Sequence, residues 1–165
     1  MSYQHDVDPD DPFRFACTVV TEAQMPVLQG SALAELAMNT LLDVSGQQDG
    51  QLRGYVVLPD AIHFVVEVEV EQQYHLWTEA FKEQSEKVLV EAILNQHPAL
   101  LDLITRFNPA WGGAIYRIWQ EGYHTQPLHS IYAASNRIAD LLTKPVELGL
   151  VTDIKDYPYC SYQPE

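Results

Sequence analysis

A chain of 165 residues, 47% of them hydrophobic, is long enough to bury an ordinary core and too apolar to be disordered. Nine Lys and Arg stand against 23 Asp and Glu, a formal charge of −14. That balance opposes tight nucleic-acid binding, because phosphates are held mainly by Lys and Arg. No apolar run approaches the ~20 residues of a membrane span, and the acidic start MSYQHDVDPDDP is no secretory signal, so a cytoplasmic protein is expected.

Residues 1–12 carry Asp6, Asp8, Asp10 and Asp11 without the glycine and downstream glutamate of a calcium loop. They read as a flexible acidic leader to a single domain over 13–165. Phe13 to Val20 (FRFACTVV) is aromatic and β-branched and predicts a strand. Ser31 to Leu42 has helical apolar spacing, followed by a polar break over Gly46–Gly50. Residues 52–70 hold two apolar runs around Pro59-Asp60, the pattern of two antiparallel strands joined by a turn. A long amphipathic helix is expected over 74–96 and a short one over 99–106. Residues 108–113 (NPAWGG) read as a loop, Ala114 to Gln120 as a strand, and Pro127 to Leu142 as a helix ending near Lys144-Pro145. The order suits an α+β fold, a ferredoxin-like antiparallel sheet with helices packed mainly on one face.

Residue patterns alone offer little chemistry. His63 shares a strand face with Ala61, and a lone His there reads as a hydrogen-bonded structural residue. His124 and His129 flank a loop and read as surface residues. Cys17 and Cys160 lie far apart without zinc spacing and read as buried thiols. GxSxG, P-loop, GxGxxG and HExxH patterns are all absent. The nine cations are scattered from Arg14 to Lys155 without a basic run.

Two stretches carry a resemblance. Gly54-Tyr-Val-Val-Leu-Pro-Asp-Ala-Ile-His-Phe-Val-Val66 resembles the HUH segment of REP-associated tyrosine transposases, the single-tyrosine HUH transposase family. There a strand ending Val-(Leu/Met)-Pro turns into a strand bearing His-hydrophobe-His. Ile118-Trp-Gln-Glu-Gly-Tyr-His-Thr-Gln-Pro-Leu128 is similar to the family's Trp-Gln segment. A helix follows, then Lys144-Pro-Val-Glu-Leu-Gly-Leu-Val151 and Asp156-Tyr-Pro-Tyr-Cys-Ser-Tyr162. These match Asn-Pro-Val-x-x-Gly-hydrophobe-Val and Asp-aromatic-Pro-aromatic-Ser-Ser. Order and spacing agree without a gap from 118 to 162, while 71–113 matches little.

The resemblance implies DNA transposition by a metal-dependent site. In that family two histidines at i and i+2 and an amide side chain on the facing helix hold a divalent metal. A tyrosine one turn before the amide attacks the phosphorus and forms a phosphotyrosine link. Carried onto this chain, the second histidine is His63 and the first falls on Ala61. The amide falls on Lys144 and the tyrosine on Asp140. Ala61 cannot ligate a metal, Lys144 would repel one, and Asp140 cannot form the link.

Tyr132, about 12 Å earlier along the same helix, and Tyr123 are weak substitutes for the lost tyrosine. The architectural positions Pro59, Trp119, Gln120, Pro145, Gly149, Pro158 and Ser161 are kept. The expectation is a transposase-like DNA-binding domain with a vestigial His63 and no cofactor, or Mg²⁺ or Mn²⁺ if it is active. Single-stranded or hairpin DNA is a possible partner that the charge of −14 disfavours, a protein is another, and the chain is a monomer or homodimer. Two competing readings are an active nuclease using another tyrosine and an unrelated α+β domain. The last requires that Ala61 and His63 do not face the 130–142 helix.

Overall fold

A computed structural model of the chain describes residues 11–107, 110 and 112–162. Most of the expected acidic leader, with Asp6, Asp8 and Asp10, lies outside the described residues. So do Asn108, Pro109 and Trp111 of the expected 108–113 loop.

The frame is a four-stranded antiparallel sheet of order β2-β3-β1-β6. β1 is Phe13–Val20, β2 Gln51–Val57, β3 Ala61–Val68 and β6 His124–Leu128. β1 and β3 form the centre, in register from Phe13↔Val68 to Val20↔Ala61. Side chains alternate across a strand, so this register sorts residues between two faces. Phe15, Cys17 and Val19 join Ile62, Phe64, Val66 and Val68 in one apolar cluster. Ala16 and Val65 join Val56 and Leu128 in a second cluster on the other face.

Two helices cover the first face. α1, Ser31–Gln47, buries Leu33, Ala37, Leu41 and Val44. It continues through Gly46, where a polar break was expected, because the buried Val44 still faces the sheet. α2, Gln73–Gln96, buries Trp77, Phe81, Leu89 and Ile93 at helical spacing. The Trp77 indole donates to the Asp49 carbonyl (2.8 Å), which ties α2 to the α1–β2 connection. The third long helix, α4, Ile131–Glu147, packs Ala134 and Leu141 on the opposite face. Two of the three long helices therefore share a face, and α4 alone takes the other.

Several boundaries differ from the sequence reading. Pro98 opens a 3-10 turn and α3 spans only Leu101–Ile104. Thr105 and Arg106, expected to be helical, instead belong to β4, Thr105–Phe107, which pairs with β5, Ala114–Tyr116, in a separate two-stranded sheet. The strand expected to reach Gln120 ends at Tyr116, and Trp119 forms only an isolated bridge to Thr21. Pro127 sits in β6, not in a helix. As a residue without an N–H, it is tolerated on an edge strand. The helix starts after Ser130, whose hydroxyl caps it by accepting from the Ala133 N–H (2.9 Å).

The C-terminal tail closes the other edge. Val57 N–H donates to the Tyr159 carbonyl (2.8 Å) and Ser161 N–H to the Tyr55 carbonyl (2.9 Å). The Ser161 hydroxyl also accepts from the Tyr55 N–H at 2.9 Å. Cys17 and Cys160 are buried free thiols, as expected. Among the described residues no helix is long and apolar enough to cross a membrane.

The height of α4 above the sheet is set at Gly54, beside a register shift in β2. A Cβ built there would lie 2.8 Å from both Cγ1 and Cγ2 of Ile138. Gly54→Val is expected to destabilise the fold by about 1–3 kcal/mol through overpacking. Combining it with Ile138→Ala should cost less than the sum of the two changes. Urea unfolding of the three variants measures this, and strict additivity would show that the contact does not set the spacing.

Candidate functional site

The strand alternation places Ala61 and His63 on the face that α4 covers, together with Ala16 and Thr18 of β1. The sequence reading aligned His63, Asp140 and Lys144 from separate segments. All three line one cavity of about 330 Å³, walled also by Thr18, Arg137 and Leu141. This juxtaposition removes the reading of an unrelated domain in which 61 and 63 point away from the helix. Asp140 and Lys144, one helical turn apart, share the α4 face that looks into the cavity. Ala61 is buried on the same strand face but offers no polar atom.

His63 is fixed rather than free. Its Nδ1 lies 2.9 Å from the Thr18 hydroxyl, its cross-strand partner in register. Burial lowers its pKa from 6.5 to about 4, and the positive charges of Lys144 and Arg137 push in the same direction. The imidazole is therefore neutral near pH 7. Arg137 donates to the Gln126 side chain on β6. Among the described residues neither Arg137 nor Lys144 has a carboxylate within 4.0 Å. Asp140 is exposed at the rim, and its backbone carbonyl accepts from Thr143 Oγ1 (2.6 Å).

This donor set does not suit a divalent metal. One imidazole is a weak ligand by itself, and the nearest charged neighbours include two cations. Among the described residues no three His, Cys, Asp or Glu side chains stand together as a metal-holding group.

The substitute tyrosines stand elsewhere. Tyr132 is 76% exposed at the first turn of α4, two turns before Asp140. Tyr123 packs against the α1/α2 cluster, and its hydroxyl is hydrogen-bonded to His75 of α2. Burial, with Glu79 next, pushes its pKa up to about 12, which disfavours the phenolate a nucleophile needs.

The motif residues that looked architectural have structural contacts. The Pro59 carbonyl accepts from the Leu28 N–H (2.9 Å) in the β2–β3 turn. Trp119 is buried against Phe81 and donates to the Ser85 hydroxyl at 2.8 Å. Gln120 bonds through its backbone to Val20 and Lys82. Pro145 is buried in the last turn of α4, and Gly149 follows with φ +74°, the left-handed geometry that ends helices. Pro158 is exposed between Tyr157 and Tyr159, which both pack inward.

Two cavity residues escaped the sequence reading. Thr18 was visible as the same-face neighbour of Ala16 in β1, and Arg137 as the residue two turns before Lys144. Neither belongs to the family motifs. Elsewhere, among the described residues, six of the other seven cations are engaged, Lys87 on α2 being the exception. Arg14 and Arg53 share Glu67 at 3.0 and 2.7 Å, Arg106 and Arg117 share Glu22, and Lys155 pairs with Asp153. Lys82 is spent on the carbonyls of Gln120 and Gly122. His124 and His129 are exposed, as expected, but lie in and just after the edge strand β6.

The central strand β3 thus presents the 61/63 pair to the helix bearing 140 and 144, the juxtaposition that the motif resemblance implies. Solved structures share the fold. A REP-associated tyrosine transposase bound to a REP hairpin superposes with a TM-score of 0.67 at 13% identity, over 98% of this chain and 82% of that one. A candidate transposase from Deinococcus radiodurans R1 superposes with a TM-score of 0.53 at 20% identity, over 79% of this chain and 91% of that one. The resemblance read from the motifs therefore holds at the level of fold. No family model matches the chain, and no curated protein sequence does.

The state of His63 has a measurable signature. Its folded pKa lies below the unfolded value, so between pH 6.5 and about 4 the unfolded chain takes up a proton that the folded chain does not. This contribution is fully present above pH 6.5 and is lost as pH falls through that window. The loss should be about 3 kcal/mol over the whole window, of which roughly 2 falls above pH 5.0. Urea unfolding at pH 7.0 and 5.0 should show a smaller pH dependence in His63→Gln than in the parent, and equal dependence would contradict the buried neutral imidazole.

Proposed function

We propose that this chain is a transposase-fold domain that has lost strand-transfer chemistry and keeps a non-catalytic contact with structured single-stranded DNA. One observation carries the reading: His63 faces a carboxylate at Asp140 and an ammonium at Lys144, where the resemblance implies a tyrosine and an amide. A carboxylate supplies no phenol for a phosphotyrosine link, and an ammonium beside a lone imidazole opposes a divalent cation. The fold shared with a transposase bound to a REP hairpin supports a nucleic-acid partner. The charge of −14, with five cations held in ion pairs, makes that contact weak and strongly weakened by salt.

The test uses labelled hairpin DNA at low salt, with and without Mn²⁺ or Mg²⁺. The expected result is reversible binding without a denaturation-resistant adduct under any metal condition. If Arg137 and Lys144 supply the phosphate contacts, log K should fall with log salt at a slope of roughly −1 to −2. A covalent adduct would overturn the reading and assign the chemistry to another tyrosine. The triple change Ala61→His, Asp140→Tyr and Lys144→Asn should gain Mn²⁺ binding by calorimetry, where the parent chain shows none.

A protein-docking role is favoured by a different feature. An open groove beside α2 combines Val90, Leu94 and Tyr116 with Glu83, Glu86 and Glu91, and Phe107 is 76% exposed on the adjoining β4. Apolar patches rimmed by charge mark contact surfaces. Absence of hairpin binding at low salt would shift the proposal to this surface.

A further inference from the structure

We propose that the cavity under α4 is a metal-independent site for a tetrahedral oxyanion, a phosphate or phosphodiester group, held between Lys144 and Arg137 against His63, whose ring Thr18 orients. The cavity encloses about 330 Å³, ample for such a group. Its two cations come from successive positions on one helix face, two turns apart, so both charges point into the same space. Unlike Arg14, Arg53, Arg106 and Arg117, neither is neutralised by a carboxylate within 4.0 Å among the described residues. Both are half-buried, so screening by water is weaker there than on an open surface.

The wall adds one directional donor. With the Thr18 hydroxyl donating to His63 Nδ1, the ring carries its proton on Nε2. The imidazole then presents an N–H donor without adding a third charge. Asp140 opposes the anion, but it is exposed at the rim, and the sum over Arg137, Lys144 and Asp140 is +1. A locally positive cavity in a chain of −14 is the place where an anion gains most from fixed donors. Lys144 thus acts as a tethered monovalent cation, able to hold phosphoryl oxygens with no metal present. The inference concerns the cavity named under the proposed function but does not need DNA to be the partner, because inorganic phosphate alone tests it.

The experiment follows the His63 ring signals of the full chain by NMR, at constant ionic strength, with EDTA present. One arm adds inorganic phosphate and the other a DNA hairpin without a terminal phosphate. Phosphate is expected to shift the ring signals saturably and to raise the His63 pKa, since a bound anion stabilises the imidazolium. Lys144→Gln should weaken the response at least about tenfold, as loss of a charge-assisted hydrogen bond implies. Arg137→Gln should weaken it too, Lys144→Arg should retain it, and Asp140→Asn should strengthen it.

A Lys144-dependent response in both arms supports a site that accepts phosphoryl oxygens from either source. Response to phosphate alone supports a free-anion site and removes this cavity from the DNA contact. Response to the hairpin alone supports a phosphodiester site. No saturable shift in either arm, or shifts that survive in the Lys144→Gln/Arg137→Gln double variant, would overturn the proposal whatever the hairpin assay gives.

Discussion

The pairing of β1 with β3 is the constraint on which the rest depends. The side-chain repeat of a strand is two residues, so a slip of one position would exchange the faces. With Cys17 opposite Phe64 and Thr18 opposite His63, the large apolar side chains fall under α1 and α2. The small and polar ones, Ala16, Thr18, Ala61 and His63, fall under α4. Small residues there let the helix come close, as does Gly54 against Ile138. The cavity exists because α4 spans a sheet face whose centre carries Thr18 and His63 instead of bulky aliphatics, which collect at Val56, Val65 and Leu141.

Electrostatics then distinguishes this cavity from the rest of the surface. Glu67 and Glu22 each engage two arginines, and none of these groups lines the cavity. The Glu67 carboxyl is held below its ordinary range first by Arg53, then by Arg14, so that cluster is locked as an ion triad. Lys82 ties α2 to the loop before β6 through two carbonyls. With Lys155 on Asp153, these arrangements engage six of the other seven cations and leave Arg137 and Lys144 together in one cavity with no carboxylate within 4.0 Å among the described residues. A charge total such as −14 hides this. It describes long-range repulsion, while binding at a half-buried site answers to the few charges within a screening length.

Legibility in the sequence followed the strength of local signals. β1, the β2–β3 hairpin and α2 were readable from unbroken apolar patterns, and the motif positions His63, Asp140 and Lys144 did come together. β6 was not readable. His124-Thr-Gln-Pro-Leu128 has one buried residue, Leu128, and a proline, and it is a strand because β1 offers it an open edge. The start of α4 was misplaced for the same reason, since Pro127 resembles a helix opener until the sheet claims it and Ser130 supplies the cap. β4 and β5 are three residues each and depend on one another, so neither carries an independent pattern. Thr18 and Arg137 shared a strand face and a helix face with motif positions, but only the β1–β3 register and the packing of α4 brought them into one cavity.

What distinguishes a vacated metal site from a rebuilt one is the replacement chemistry. Ala61 by itself would leave a gap beside His63 and lower metal affinity without supplying anything. Lys144 does more, because it places a permanent positive charge against an imidazole that burial already keeps neutral. An ammonium can hold an anionic oxygen, but it carries one charge rather than two and makes hydrogen bonds rather than coordinate bonds. It is therefore suited to seating a phosphoryl group and poorly suited to polarising it for attack. Asp140 at the rim offers a carboxylate where the resemblance implies a tyrosine, and its charge limits how strongly an anion is drawn in. On the proposed reading the three residues favour reversible, salt-sensitive occupancy over bond making, on a scaffold in which Trp119 is packed in the core, Pro145 is buried in the last turn of α4 and Gly149 ends that helix.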